Sequence, residues 1–251
     1  MAPHPVVLCP QGTTELDFNG QAIAALGPLS NEAQRGVYLH PTFAVTPARE
    51  SLGVLDAGMW AREPKAPDGT CPGIKDVPRD QREVRWSEGC ARVAELAGEM
   101  PETRLVYVAD REAFIWELLV RARDLGTPAD WLLRSKHNRA PPEGGRLWAK
   151  VLSSPALGEI RFTRPGGRER AAREVRQALY AQRLTLSDGQ RGTFAVTFLI
   201  ARESAPQPRV KPIEWRLLTN RAPGVKTLLL GLQRVMDFAA GIKFARQALG
   251  L

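Results

Sequence analysis

The sequence predicts an α/β protein in which helices pack on a mixed sheet, together with a β-rich region. Three observations carry this prediction: short β-prone runs fill the first third, two helical stripes alternate with apolar strands in the middle, and long alternating strands follow residue 144. The 251 residues are enough for one large domain or for a domain with an insertion.

The first third of the chain is typical of a meander of strands. Turn signals such as Asn19-Gly20 and Gly27-Pro28 separate the apolar and β-branched runs. The predicted strands cover residues 6–10, 14–18, 38–46 and 54–61. Residues 62–84, which contain four prolines and many charges, predict a surface loop.

The middle of the chain alternates helix and strand. Apolar residues at 86, 90, 93 and 97 predict a helix that begins near Ser87, and Ile115, Leu118, Leu119 and Ala122 predict a second helix that ends near Gly126. The apolar runs 104–109 and 131–133 predict buried strands. Active groups on such sheets lie at strand ends, so we expect the functional residues at the ends of these strands.

The pattern changes at residue 144. Runs at 147–152, 158–163, 174–186 and 193–201 predict further strands. We therefore expect residues 1–143 to form the first part of a core, residues 144–213 a β-rich insertion subdomain, and residues 214–251 a return to the core. The last segment, 227–251, is helix-like in composition.

The charge balance favours a polyanionic partner. Lys and Arg number 35 against 27 Asp and Glu, so the formal charge is +8. The three cysteines and three histidines stand far apart, which argues against a zinc site and a secreted disulfide scaffold and predicts a reducing, cytoplasmic setting. No run of about 18 apolar residues exists, so no membrane partner is expected.

Asp110 is the sharpest single feature of the sequence. In the run VYVADREA it follows a buried strand and precedes a helix, the position from which a carboxylate can hold a divalent metal. The same position also suits a residue that only caps the helix beginning at Arg111. A metal nuclease needs further acids from neighbouring elements, and the end of the first strand carries Gln11-Gly12 instead.

Several ordered motifs resemble a known family. The runs LCPQGTTELDFNG, RLVYVADREAFIWELL, DWLLRSKHNR and IEWRLLTNR are similar to the catalytic region of DDE-type transposases of bacterial insertion sequences, in the branch with a Tyr-x2-Arg-x3-Glu-x6-Lys signature. The resemblance covers residues 6–222. It implies an α/β, RNase H-like (retroviral integrase-like) mixed-sheet core with a β-rich insertion, and DNA transposition by metal-dependent end cleavage and strand transfer.

The resemblance also implies roles for particular residues. The family's second acid corresponds to Asp110, which is thereby the expected catalytic and metal-binding residue. The first acid, in a Gln-Asp-Thr-Thr element, corresponds to Gly12, and no glutamate follows Glu214 to supply the third. The family's Mg²⁺ or Mn²⁺ is therefore expected to bind weakly. The residues expected to contact nucleic acid are Thr13, Arg111, Arg134, Lys136 and Trp215.

Three readings stay open at this point. The first is an inactive transposase-derived protein, expected to be truncated at both ends and frameshifted in its tail. The second is a non-catalytic DNA-binding or regulatory protein that acts on DNA ends or pairs with itself or with an intact transposase. The third is an active nuclease in which other acids substitute for the missing metal ligands. The substitutes considered are Glu15, Asp17 and Glu112.

Overall fold

The computed structural model describes residues 4–31, 33–48, 50–63, 79–110, 115–135, 144–164, 171–187, 192–208 and 210–222, and the single residues Asn138, Pro142, Gly166 and Gln190. The side chains of residues 79–84 and of Ile115 are outside this description. The chain divides into two compact units between Ala129 and Asp130.

The first unit contains six strands and two helices among its described residues. They are β1 (Val6–Gln11), β2 (Thr14–Asp17), β3 (Gly27–Pro28), β4 (Arg35–Val45), β5 (Ser51–Trp60), α1 (Arg79–Glu99), β6 (Arg104–Ala109) and α2 (Ile115–Asp124). The strand β4 is central, because it pairs antiparallel with β1, β2, β3 and β5. The strands β1 and β6 pair in parallel and so end at the same edge of the sheet.

The step from β1 to β2 is a break opposite a proline. On β4, Thr42 lies opposite Gln11 and Leu39 lies opposite Thr14. Between these pairs, the Gly12 N–H donates to the Pro41 carbonyl oxygen at 3.3 Å. Because Pro41 has no N–H, it cannot complete a regular ladder at this point, and β1 and β2 remain separate strands.

The helix α1 packs on β1, β5 and β6. Its buried side chains, among them Trp86, Cys90 and Val93, cover the sheet. The helix approaches β1 most closely at Gly89, where a β-carbon would lie 2.2 Å from the Gln11 side-chain nitrogen. Gly89 therefore makes room for a buried amide.

The second unit is an antiparallel sheet with one short helix among its described residues. Its elements are β7 (Asp130–Arg134), α3 (Leu147–Leu152), β8 (Gly158–Arg164), β9 (Arg173–Ser187), β10 (Thr193–Glu203) and β11 (Glu214–Thr219). The strands follow the order β7-β11-β10-β9-β8, and every neighbouring pair is antiparallel.

A buried ion pair holds the connection between β10 and β11. The Arg173 guanidinium donates to both carboxylate oxygens of Glu203, and the Arg173 and Glu203 side chains are only 10% and 1% exposed. The Ile213 N–H donates to the same carboxylate at 2.8 Å. The hydrogen bond from Arg173 lowers the pKa of Glu203, which stays ionised.

The predicted RNase H-like α/β core is wrong. The described residues are mostly β, with eleven strands in mixed pairing and only three helices, which is not a helix-rich α/β architecture. The physical reason is the length of the strands: β4, β5, β9 and β10 each have ten residues or more, and they satisfy one another's backbone hydrogen bonds.

Two local predictions are also wrong. Residues 147–152, predicted as a strand, form α3, whose buried Leu147 and Val151 are four residues apart. The helix predicted to begin near Ser87 begins at Arg79, inside the predicted loop. The predicted segment 227–251 lies outside the described residues. Among the residues that are described, the helices are too short or too polar to cross a bilayer.

We expect Gly89→Ala to destabilise the first unit by about 1–3 kcal/mol, because the new methyl group would displace the Gln11 amide from its buried hydrogen bonds. Gly98→Ala is the matched control in the same helix, since nothing lies within 4 Å of a β-carbon there. The control should be neutral or stabilising by about 0.5–1 kcal/mol. Urea unfolding measures both, and equal effects would contradict the proposed contact.

Glu203→Gln should destabilise the second unit by about 3 kcal/mol or more, because it leaves the Arg173 charge buried without its partner. The control is Glu159→Gln, which breaks the exposed pair with Arg161 and should cost less than about 1 kcal/mol. The difference between wild type and Glu203→Gln should shrink as pH falls below about 4.3, because the lowered pKa of Glu203 stabilises the fold only above that range. A pH-independent difference in thermal unfolding would argue against the ion pair.

Candidate functional site

The ends of β1 and β6 bring Gly12 and Asp110 together. The two strands pair in register from Val6 opposite Arg104 to Gln11 opposite Ala109, and Gly12 and Asp110 are the next residues on each. Neighbouring strands lie about 4.8 Å apart, so the two residues are adjacent, as predicted from the sequence. Asp110 is exposed. Its role as a metal ligand stays a prediction.

The side chain of Gln11 anchors this strand end. It is 4% exposed, and its oxygen accepts a hydrogen bond from the Tyr107 hydroxyl on β6. Its nitrogen donates to the Arg85 carbonyl of α1 at 3.3 Å, and Tyr107 also donates to the Trp86 carbonyl at 3.0 Å. Burial raises the pKa of Tyr107 well above its ordinary value, so the phenol keeps its proton. The network joins β1, β6 and α1.

The glycine at position 12 is not imposed by the backbone. The described glycines with a positive φ are Gly20, Gly53, Gly126, Gly144, Gly145 and Gly192, and Gly12 is not among them. A residue with a side chain could therefore adopt the same backbone angles. The missing carboxylate is a chemical difference from the family's motif.

The next residue, Thr13, is held by a buried histidine that sequence reasoning missed. Thr13 is exposed, whereas His40 on β4 is 4% exposed, and Thr13 Oγ1 lies 2.8 Å from His40 Nδ1. The Trp60 and Trp86 rings meet the imidazole edge to face, with ring centroids 6.2 and 4.6 Å away. Residues 40 and 13 are far apart in the sequence, so only the register of β4 brings them together.

The surroundings keep His40 neutral. Burial and, to a smaller extent, the positive charge of Arg85 lower the pKa of His40 to about 4. The negative charge of Asp56 acts in the opposite direction. Arg85 itself stacks on Trp60, with its guanidinium carbon 3.5 Å from the ring centroid. At neutral pH the imidazole carries one proton and no charge.

The acids considered as substitute ligands serve nearby turns. The Glu15 carboxylate accepts the Ser30 N–H at 3.0 Å. The Asp17 carboxylate accepts the Asn19 N–H at 2.8 Å and the Gln34 amide at 2.6 Å. Glu112 lies outside the described residues. These contacts give Glu15 and Asp17 a structural role in shaping the loop after β2.

The described residues do not fit the family's metal pair. Within them, no group of three or more His, Cys, Asp or Glu side chains is placed to hold a metal ion. Mg²⁺ keeps its waters unless several anionic oxygens replace them, and Gly12 offers no oxygen from a side chain beside Asp110. A two-metal cleavage step therefore has no basis in this part of the chain.

Two of the predicted nucleic-acid contacts meet in the second unit. The Arg134 guanidinium carbon lies 4.5 Å from the centroid of the half-buried Trp215 ring. The strands β7 and β11 position them, with Arg134 opposite Leu217. Asp110 and Thr13 belong to the first unit. Arg111 and Lys136 lie outside the described residues.

We expect the stability of the first unit to fall between pH 6.5 and pH 4 because of His40. The pKa of His40 is about 4 in the folded protein and about 6.5 in the unfolded chain. Between these values the unfolded chain binds a proton that the folded protein does not, so the free energy of unfolding should be lower by about 3 kcal/mol near pH 4. Urea unfolding at several pH values measures the loss. His40→Asn, which does not titrate, should remove this part of the slope; an unchanged slope would place the titration elsewhere.

No protein-family model matches the chain, and no curated protein matches its sequence.

Proposed function

We propose that this chain is a transposase-derived protein that binds DNA and does not cut it alone. The observation that supports the proposal most is the pair of strand ends at which Asp110 stands beside Gly12. In the family that the motifs resemble, carboxylates from both positions hold the metal. Here one carboxylate and one hydrogen atom occupy these places. The family assignment itself rests on the ordered motifs in residues 6–222.

The absence of cutting follows from ligand number. A two-metal mechanism stabilises both the attacking and the leaving oxygen of a phosphodiester, so it depends on ligands that bridge two ions. A single carboxylate can bridge two ions, but by itself it replaces too few of their waters to hold both. The hydrogen bonds of Glu15 and Asp17 within their own loop speak against their recruitment as substitutes.

DNA binding is supported by charge. The chain carries a formal charge of +8, and a positive protein gains affinity for DNA by releasing the counterions that the phosphates hold. Arg134 beside Trp215 combines a phosphate-binding group with an aromatic ring on which a base can stack. A role on chromosomal or transposon DNA puts the protein in the cytoplasm, where a second copy or an intact transposase is a suitable partner.

We expect wild type to show no plasmid nicking above background in Mg²⁺ or Mn²⁺. Gly12→Asp should bind Mn²⁺ more tightly by calorimetry, because it places a second carboxylate beside Asp110, while nicking stays near background for lack of a third acid. Asp110→Ala is the control for both. Nicking by wild type that Asp110→Ala abolishes would show that other acids complete the site.

DNA binding is tested separately, by fluorescence anisotropy with a labelled duplex at several salt concentrations. Affinity should fall steeply between 50 and 200 mM salt, on the order of tenfold or more, as counterion release requires. The same measurement with Arg134→Ala should give weaker binding and a smaller salt slope. If wild type fails to bind the duplex at 50 mM salt, the proposed function is wrong.

A further inference from the structure

We propose that His40 is a positioning residue that donates a hydrogen bond from Nδ1 to Thr13 Oγ1 and so directs the Thr13 hydroxyl proton to a phosphate oxygen of bound DNA. This inference rests on the proposed DNA-binding function. It assigns a role to a buried histidine outside the set of residues expected to contact nucleic acid.

The contact joins an exposed group to a buried one. Thr13 lies at the surface where the chain passes from β1 to β2, and His40 is buried beneath it against Trp60 and Trp86. The 2.8 Å separation of Thr13 Oγ1 and His40 Nδ1 is that of a good hydrogen bond. Because both aromatic rings limit its movement, the imidazole is a rigid support for a flexible hydroxyl.

Either nitrogen of a neutral imidazole can carry the proton, and the two arrangements differ in cost. If Nε2 carried it, Thr13 would donate to Nδ1, and the Nε2–H would be buried without an acceptor, since Nε2 has no hydrogen-bond partner among the residues that the structure describes. If Nδ1 carries it, only an acceptor lone pair on Nε2 is left without a partner. Buried N–H groups without partners are rarer than buried acceptors without them, so the geometry favours Nδ1–H.

The position of that proton decides what Thr13 offers to a ligand. A hydroxyl has one donor and two acceptor positions. When Thr13 accepts from His40, its own proton is free to point outward to an anion. When Thr13 donates to His40, only lone pairs face the solvent, and these repel a phosphate oxygen. The Nδ1–H form therefore leaves Thr13 as a hydrogen-bond donor to an anion.

The charges near Thr13 are mixed: Arg85 is positive, whereas Asp56 and Asp110 are negative. The positive charge of Arg85 acts at His40, and the half-buried Asp56 is the opposing charge that acts there. Gly12, which precedes Thr13, adds no negative charge beside Asp110. A second carboxylate at position 12 without a metal would add to the repulsion that Asp110 exerts on a phosphate, and glycine avoids that addition. Threonine hydroxyls commonly donate to phosphate oxygens in protein–DNA complexes, and such contacts orient the protein on the duplex.

The tautomer can be measured on the free protein. Long-range ¹⁵N–¹H correlation spectra of ¹⁵N-histidine-labelled protein at pH 7 should show His40 protonated at Nδ1. A proton on Nε2 would overturn the inference without touching the proposed function. This measurement needs no DNA and no substitution, so it holds even where a variant fails to fold.

The functional arm is a double-mutant cycle in duplex DNA binding. Thr13→Val, which keeps the shape and loses the hydroxyl, should weaken binding about fivefold, whereas Thr13→Ser should bind as wild type does. His40→Leu should weaken binding to a similar extent alone and cause no further loss in the Thr13→Val background. His40→Asn, whose amide nitrogen takes nearly the place of Nδ1, should restore most of the affinity.

The outcomes separate the two proposals. Wild type that binds DNA together with Thr13→Val of equal affinity overturns the inference alone. The same holds if His40→Asn binds as poorly as His40→Leu, or if the losses in the double variant add. Wild type that does not bind DNA overturns the proposed function and this inference together. Thermal unfolding of each variant shows whether a loss of binding reflects a loss of fold.

Discussion

The buried amide of Gln11 is the interaction on which the first unit depends. A polar side chain in a core must find partners, and this one accepts from Tyr107 and donates to the Arg85 carbonyl. The two hydrogen bonds join β1 to the neighbouring parallel strand and to the helix that covers both. Gly89 completes the arrangement, because any side chain there would occupy the volume of the amide.

The position of the candidate site follows from this anchor. Because Gln11 is held toward α1, the chain leaves β1 at a defined place, with Gly12 beside Asp110 and Thr13 over His40. Thr13 is exposed at the break in the ladder opposite Pro41 of β4. The same strand end therefore combines an exposed carboxylate with a hydroxyl that has a buried support.

The arginines of the second unit are partly engaged within the protein. Arg173 is buried against Glu203, and Arg134 lies on Trp215. A guanidinium on an aromatic ring keeps its positive charge, whereas the charge of a guanidinium buried with a carboxylate is neutralised by its partner. Arg173 and Glu203 cancel each other in the formal charge of +8, so that net charge is carried by other residues.

Local pattern determined much of this protein. The alternation of residues and the turn signals predicted most strands and the second helix, and the apolar run before Asp110 predicted a strand end at that residue. These signals depend on near neighbours in the chain, which a sequence displays directly. The predictions failed where tertiary contacts decide: α3 in place of a strand, the start of α1 eight residues before Ser87, and the mostly β balance of the whole.

Only the tertiary structure could place His40 under Thr13. The strands β2 and β3 and the start of β4 separate the two residues in the sequence, and a shift of β4 by one residue would turn the imidazole to the other face of the sheet. Strand register is set by pairing and packing between elements that are distant in the sequence, and no local run of residues records it. The sequence by itself therefore determined which chemical groups are present. The fold decided which of those groups touch, because contact depends on long-range pairing.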